Sequence, residues 1–248
     1  MPKTAVLVDL AYFIRRYRGA CKSMGVDPDP KQIAKAVWDT AVDHLTDRDN
    51  ELYRILVYDC RPLAKKTQHP ITGKPIDFSK SHTYQYRLEL HRILVSKRKV
   101  ALRCGELQDG ARWLLKPEPL KRLLRGAITV KDLVEDDVAY DFRQKGVDIK
   151  IGIDIASLAY KKLVEKIVLI TGDSDFVPAA KLARREGIDV VLNPLFQSVT
   201  DSLSEHIDGL ESKMRKPGQA PPTAGRELKI TVPKLGRRAP VDKRAKRG

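Results

Sequence analysis

The residues best suited to chemistry lie in the segment Lys166–Phe176, KIVLITGDSDF. It begins with four apolar residues, a run typical of a strand buried on both faces of a parallel sheet. The chain then breaks at Thr171 and Gly172 and presents two aspartates, Asp173 and Asp175. Ligands bind at the carboxyl ends of strands in open α/β sheets, and two close carboxylates repel each other unless a cation lies between them. We therefore expect this turn to form part of a site for a hard divalent cation.

Three further aspartates could reach the same edge of a sheet. Asp9 ends the first apolar run of the chain, Asp148 follows a Lys-Gly-Val break, and Asp154 comes six residues later. Magnesium prefers octahedral oxygen coordination and keeps several waters, so about two to four carboxylates suffice to hold it. Such an ion can orient a scissile phosphate and lower the pKa of the attacking water, and pairs of ions roughly 3.5–4 Å apart are common in nucleases.

Each acid also has a purely structural alternative. Asp175 and Asp148 could each cap the helix that follows, since Asp is a favoured N-cap residue. Asp154 falls inside a predicted helix and could be a surface residue or one partner of a salt bridge. Asp9 and Asp173 have the weakest structural explanation, because each follows an apolar strand where a parallel sheet otherwise favours a neutral residue.

Apolar periodicity predicts the elements that must position these acids. Strands are predicted at 5–8, 53–58, 100–103, 167–170 and 189–192, and helices at 12–17, 31–45, 84–94, 149–163, 177–186 and 198–210. Strands that alternate with helices indicate an α/β fold with a parallel sheet flanked by helices. Two stretches stand apart. Residues 61–82 are long for a connection and predict a functional flap or a partly disordered segment. Residues 108–131 form a basic insert whose leucine pairs indicate a small amphipathic helix or a hairpin.

Charge divides the chain into two predicted domains. The net charge is +15, and residues 213–248 hold twelve Lys or Arg against two Asp or Glu, so they carry most of it. This segment is rich in Pro and Gly and has few large apolar residues, which predicts a disordered tail after a folded domain over residues 1–212. The tail is interpreted either as a solvated spacer or as an arm that seeks phosphates.

Composition excludes several classes of protein. The three cysteines lie far apart and form no C-x-x-C pair, which argues against a zinc site and a disulfide framework and favours a reduced, cytoplasmic protein. No run of about 18 apolar residues predicts a membrane span. The five histidines stand in no spacing typical of Ser/His or Cys/His nucleophile systems.

Three motifs together resemble a known family. The segment from Val6 to Asp9, the KGVD sequence that ends at Asp148, and the TGDSDFVP sequence that starts at Thr171 look like the NYN domain. This is a branch of the PIN-like nuclease superfamily related to the LabA-like proteins, and the similarity spans roughly residues 4–210. The resemblance implies a Rossmann-like sheet, an acidic site that binds Mg²⁺ or Mn²⁺, and endonuclease activity on single-stranded RNA.

Site residues can be carried over by position. The acids that match the acidic site of the family are Asp9, Asp148, Asp173 and Asp175, with Asp154 matching a further acid and all five expected to bind metal. Residues expected to contact nucleic acid are Thr171, Ser174, Arg15, Arg16 and Lys150. One departure concerns Tyr12, which stands where the family typically has an Asn that could contact metal-bound water or phosphate.

The leading hypothesis is therefore a metal-dependent ribonuclease, with DNA as a substrate and a homodimeric state both left open. A second hypothesis is a PIN-like module that binds RNA or a protein without cleaving, which Tyr12 and the basic tail favour. A phosphatase of the haloacid dehalogenase type also has an acidic turn after a strand. Its nucleophile strand should read D-x-D, whereas Asp9 is followed two residues later by Ala11.

Overall fold

The computed structural model describes residues 2–45, 51–216 and 219, so most of the predicted tail lies outside the described residues. The strands are β1 Lys3–Asp9, β2 Glu51–Cys60, β3 Lys66–Gln68, β4 Pro75–Asp77, β5 Val100–Leu115, β6 Val138–Lys145, β7 Lys166–Ile170, β8 Asp189–Asn193 and β9 Gly209–Leu210. The helices are α1 Leu10–Lys22, α2 Pro30–Asp43, α3 His82–Ser96, α4 Pro117–Leu124, α5 Val147–Tyr160, α6 Val177–Arg185 and α7 Asp201–Ser204. No helix in this part of the chain is both long and apolar enough to cross a bilayer.

Seven strands form one sheet in the order β6-β5-β2-β1-β7-β8-β9. Every neighbouring pair is parallel except β5 and β6, which pair antiparallel. The predicted α/β class, with a mostly parallel sheet flanked by helices, is confirmed. The chain builds outward from β1 to β2 and β5, then returns to the other side of β1 with β7 and β8. The strand order therefore reverses between β1 and β7, and in doubly wound sheets such a reversal opens a crevice for ligands at the carboxyl ends.

Alternating residues of the central strands supply two hydrophobic layers. Val6 and Val8 point into the layer formed with α1, α2 and α3, whereas Ala5 and Leu7 point into the layer formed with α5 and α6. All four are fully buried. Burial on both faces explains the continuous apolar runs in the sequence, and it fixes the register of β1 against β2 and β7 because a slip of one residue would exchange the layers.

The long inserts add structure at one edge of the sheet. The short strand predicted at 100–103 extends through Leu115 because its second half pairs antiparallel with β6. The basic insert contributes that half-strand and α4, so both a helix and a hairpin partner are present. Within the predicted flap at 61–82, β3 and β4 form a small antiparallel hairpin. Its neighbour Phe78 packs on Tyr140 and Phe142 of β6.

Two predicted helices differ in the structure. The closing helix predicted at 198–210 is wrong: α7 covers only Asp201–Ser204, and the chain then adds β9 beside β8. The backbone amide of Val190 donates to Asp208 and the amide of Asp208 donates back to Val190, which draws the chain into an edge strand. The helix predicted from about Ile149 begins two residues earlier, at Val147.

The last described residues pack against the folded body. Met214 contacts the core layer of α1, α2 and α3, and Arg215 forms an ion pair with Asp43 at the end of α2. Asn193 donates from its amide to the carbonyl of Lys213 at 2.8 Å. Ordered contacts therefore continue as far as Arg215, a few residues into the segment predicted as tail.

Candidate functional site

Asp9 lies at the carboxyl end of the central strand β1, beside the reversal of strand order. Its side chain caps α1 by accepting a hydrogen bond from the backbone amide of Tyr12 at 3.0 Å. Burial raises the pKa of the Asp9 carboxyl, and the charges of Asp148 and Asp59 raise it further, against the lowering effect of the Tyr12 amide. The carboxylate therefore has both a structural role as a cap and an electrostatic cost.

The turn after β7 brings Asp173 and Asp175 to the same edge. The hydroxyl of Thr171, which is fully buried, accepts from the amide of Asp173 at 3.2 Å. Asp173 in turn accepts from the amide of Asp175 at 3.0 Å and caps a 3₁₀ turn at Ser174–Phe176. Both acidic side chains are exposed. The alternative role of Asp175 as cap of α6 is not observed, because Phe176 takes that position without a side-chain hydrogen bond.

Asp148 joins these acids from α5. Gly146, with a left-handed φ of 79°, takes the N-cap position, so Asp148 lies in the first turn rather than capping the helix as predicted. Glycine adopts this φ without the strain that a side chain would add. Partial desolvation raises the pKa of Asp148, and the charges of Asp173 and Asp175 raise it further.

We call Asp9, Asp148, Asp173 and Asp175 the rim acids. The charge of Asp148 raises the pKa of Asp9, and the charges of Asp173 and Asp175 raise the pKa of Asp148, so the four acids are electrostatically coupled. In residues 2–45, 51–216 and 219, no three Asp, Glu, His or Cys side chains converge closely enough to form a complete metal site. Carboxylate oxygens that repel one another suit a hard cation that keeps part of its water shell.

Asp154 has other partners. Six residues after Asp148, it lies about 120° around α5 from that residue. Its carboxylate accepts from the hydroxyl of Tyr58 at 2.8 Å and forms an ion pair with Arg103 at 3.2 Å. The structural alternative considered for this residue, one partner of a salt bridge, is thus observed, and Asp154 directs its charge toward β2 and β5.

Asp59 is a further acid at the carboxyl ends of the strands, and it is not among the site residues predicted from the sequence. Asp59 follows Tyr58, the residue that pairs with Asp9 in the register of β1 and β2. It is buried, and one of its carboxylate oxygens lies 2.8 Å from Arg87 and 2.7 Å from His91, both on α3. The signal available in the sequence was an apolar strand that ends in Asp, as at Asp9. Its partners lie about 30 residues away, and no local pattern reveals them.

Tyr12, which stands in place of the family's Asn, is buried and connects three segments. Its hydroxyl donates to the carbonyl of Pro194 at 2.6 Å. Its ring lies against Gly172, where an added Cβ would stand only 2.8 Å from a ring carbon. Gly172 is therefore required by the close approach of the tyrosine ring. Tyr12 connects the start of α1 and the acidic turn with the loop after β8.

The predicted nucleic-acid contacts occupy different environments. Arg15 is exposed, with its guanidinium 5.7 Å from the centre of the Tyr12 ring. Arg16 instead donates to the carbonyl of Leu195, at 3.0 Å from Nη2, and supports the loop after β8. Ser174 lies exposed in the acidic turn, and Lys150 lies exposed in the first turns of α5.

A mostly parallel sheet with helices on both faces and acids at its reversal point defines a Rossmann-like α/β protein. Within that class, residues 113–209 match the family model of the NYN domain, which confirms the resemblance noted in the sequence. NYN domains are generally nucleases of the PIN-like superfamily. The match includes Asp148, Asp173 and Asp175, while Asp9 lies before it.

Comparison with solved structures found a crystal structure of a protein of unknown function from Vibrio parahaemolyticus. It is 14% identical to this chain, with a TM-score of 0.40, and the alignment covers 85% of this chain and 92% of that one. No curated protein matches the chain.

Proposed function

We propose that the chain is a metal-dependent endonuclease that hydrolyses phosphodiester bonds of single-stranded RNA at the rim acids. The observation that carries this proposal is that Asp9 and Asp173 lie at the carboxyl ends of the neighbouring parallel strands β1 and β7, between which the strand order reverses. Desolvation and neighbouring negative charge also raise the pKa of Asp9 and of Asp148, and perturbed carboxyls of this kind are one mark of a functional site. The family match of residues 113–209 supports the same reaction class.

Each rim acid has a defined part in this proposal. Asp9, Asp148, Asp173 and Asp175 would hold Mg²⁺ or Mn²⁺, either directly or through water. A bound ion of this kind supplies Lewis-acid chemistry, polarising the phosphodiester and lowering the pKa of water. The amide of Tyr12 orients the carboxylate of Asp9, and the amide of Asp175 orients that of Asp173. The Thr171 hydroxyl accepts from the Asp173 amide and so stabilises the turn that carries Asp173.

The substrate strand is expected to run past Arg15. This side chain is exposed beside Tyr12, six residues after Asp9, and can neutralise a phosphate without displacing a hydrogen bond that supports the fold. Arg16 makes such a bond to Leu195, so its contribution to RNA binding is expected to be indirect. Lys150 and Ser174, which are both exposed, remain proposed contacts.

The test compares cleavage of labelled single-stranded RNA by the wild type and by Asp173→Asn in Mn²⁺ or Mg²⁺. Asn keeps an oxygen that can accept from the Asp175 amide, so the substitution removes the charge while preserving the turn. Cleavage should fall by at least about 100-fold, since even partners of metal ligands typically contribute 10–100-fold. Equal cleavage by the two proteins would refute the proposal, and a parallel single-stranded DNA substrate tests the preference for RNA.

A second candidate is an RNA-binding module that does not cleave. Tyr12 favours it, because the phenol hydroxyl is committed to Pro194, and the amide that the family places there is missing. Calorimetry with Mn²⁺ separates the two candidates. A nuclease should show cation affinity that disappears in Asp173→Asn, whereas a binding module should retain RNA affinity with no such cation dependence.

A further inference from the structure

The loop after β8 has an unusual backbone. Leu195 and Phe196 are consecutive residues with left-handed φ values of 50° and 63°. Bulky residues rarely adopt this conformation, and it persists only where the surrounding structure enforces it. Strained backbone of this type clusters at ligand-binding sites, which makes this loop a candidate surface for binding a ligand.

Hydrogen bonds from three separate segments enforce the conformation. The side-chain oxygen of Asn193 accepts from the Leu195 amide at 3.0 Å, and Arg16 donates to the Leu195 carbonyl at 3.0 Å. Tyr12 donates to the Pro194 carbonyl at 2.6 Å, and Ser212 accepts from the Phe196 amide at 3.2 Å. The loop is therefore held rigidly by α1, β8 and the last described segment.

This support buries one side chain and exposes the next. Leu195 is fully buried, whereas 62% of Phe196 is exposed. The fold thus maintains a strained backbone although most of Phe196 remains exposed to solvent. An aromatic ring that is mostly exposed on a hydrogen-bonded loop offers a flat face on which a ligand can stack.

The loop that carries Phe196 is linked to the acidic turn through Tyr12. The Tyr12 ring contacts Gly172 in the acidic turn, and its hydroxyl reaches Pro194, two residues before Phe196. One tyrosine side chain therefore spans the distance between the acidic turn and the loop. Arg15 stands beside the same ring and adds a positive charge to this surface.

We propose that Phe196 is a stacking platform for a nucleobase of the single strand bound at the rim acids, an inference that rests on the proposed function. Aromatic side chains next to a basic group are the usual means by which proteins hold single strands, because every base has a face on which a ring can stack. The phosphate would face the acids and Arg15, and the adjoining base would lie on Phe196.

The test measures binding of a fluorescent single-stranded RNA by the full chain in EDTA, so that no cleavage occurs. Phe196→Ala and Phe196→Asn remove the ring, and Asn tolerates the left-handed backbone. Both should weaken binding by about 5- to 150-fold, the range for loss of one stacked base. Phe196→Trp keeps an aromatic ring and should bind RNA as tightly as the wild type does. The matched control is Tyr160→Ala, which removes an aromatic ring that is 63% exposed at the far end of α5.

A second arm uses RNAs with one abasic nucleotide placed at each position in turn. At one position the wild type should lose affinity, while Phe196→Ala should lose nothing further, because the stacked pair is already absent. Equal losses by the two proteins at every position, or wild-type affinity in Phe196→Ala and Phe196→Asn, would overturn the inference and assign the ring to another partner such as a protein.

Failure of the proposed function has a different signature. If the wild type binds RNA with the expected dependence on Phe196 but cleaves none in Mn²⁺, the nuclease proposal fails and the stacking role stands. If RNA is cleaved in Mn²⁺ but neither binding nor cleavage depends on Phe196, the stacking role fails and the nuclease proposal stands. A wild type with no affinity for single strands overturns both.

Discussion

Asp59 and Asp9 lie at the carboxyl ends of neighbouring parallel strands, yet their charges have different partners. Asp59 is buried between Arg87 and His91, which both contact the same carboxylate oxygen. Asp9 accepts from the backbone amides of Tyr12 and Ala11, and burial together with the negative charges of Asp148 and Asp59 raises its pKa. Two acids with similar positions in the sheet therefore differ in whether basic side chains of the protein contact the carboxylate.

We propose that this contrast distinguishes acids that serve the fold from the acids of the proposed cation site. A buried carboxylate that serves only the fold is normally paired, because an isolated charge is costly to desolvate. Asp154 follows the pattern of Asp59, since Arg103 and Tyr58 contact it. Asp148 resembles Asp9 in that neighbouring negative charges raise its pKa, and we infer that an external cation completes the rim acids.

The largest expected effect concerns the paired acid. Asp59→Ala removes the buried carboxylate and leaves Arg87 and His91 without their partner. Breaking a buried ion pair in this way typically costs about 3–5 kcal/mol in the free energy of unfolding. Urea unfolding at neutral pH measures this loss. Asp175→Ala is the control, because it removes an equal charge from an exposed position and should leave stability nearly unchanged. Equal losses would erase the distinction between the two groups of acids.

The next effect tests the rim acids with a cation. Mn²⁺ should raise the free energy of unfolding of the wild type, by about 2.7 kcal/mol at a concentration 100 times the dissociation constant. The gain should vanish in Asp173→Asn, where one carboxylate of the cluster is lost. Thermal unfolding at constant ionic strength gives the measurement, with KCl replacing the manganese salt as control. Stabilisation that persists in Asp173→Asn would place the cation elsewhere.

The contrast between these acids was only partly accessible from the sequence. Apolar runs that end in Asp predicted β1 and β7 and the edge of the sheet that carries Asp9 and Asp173, because buried parallel strands leave a continuous apolar signature. The partners of Asp59 could not be predicted, since Arg87 and His91 reach it only after α3 packs beside β2. Long-range pairing also explains the length of β5, whose second half is ordered by β6 rather than by its own apolar pattern.

Local competition explains the remaining differences. Helix α5 begins at Val147 because Gly146, in a left-handed conformation, takes the N-cap position. Asp148, a residue type favoured at N-caps, therefore lies inside the first turn. The helix predicted at 198–210 lost its second half to pairing with β8, which satisfies more backbone groups than a frayed helix end would. The role of Tyr12 was visible only as a departure from the family, and its contacts depend on the folded loop.

A smaller effect should appear when Asp9 becomes Asn in the presence of EDTA. Asn can still cap α1, so the substitution isolates the charge. The folded-state pKa of Asp9 is raised above its ordinary value of 3.8, so the wild type loses stability as pH rises from that value through the folded pKa. Asp9→Asn should therefore be more stable than the wild type near neutral pH. That advantage should shrink as pH falls toward 3.8, and urea unfolding across this range measures it. A variant less stable than the wild type at neutral pH would show that Asp9 is compensated after all.

The smallest effect is expected at Asp154. Asn at this position can still accept from Tyr58, and it loses only the ion pair with Arg103, whose side chain is 50% exposed. Pairs of this exposure contribute about 0–1 kcal/mol, so unfolding should change little, and cleavage of RNA should match that of the wild type. A fall in cleavage comparable with that of Asp173→Asn would return Asp154 to the cation site, where the family resemblance places it. In that case the ion pair with Arg103 would have to break when a cation binds, and charge compensation would no longer distinguish the structural acids from the functional ones.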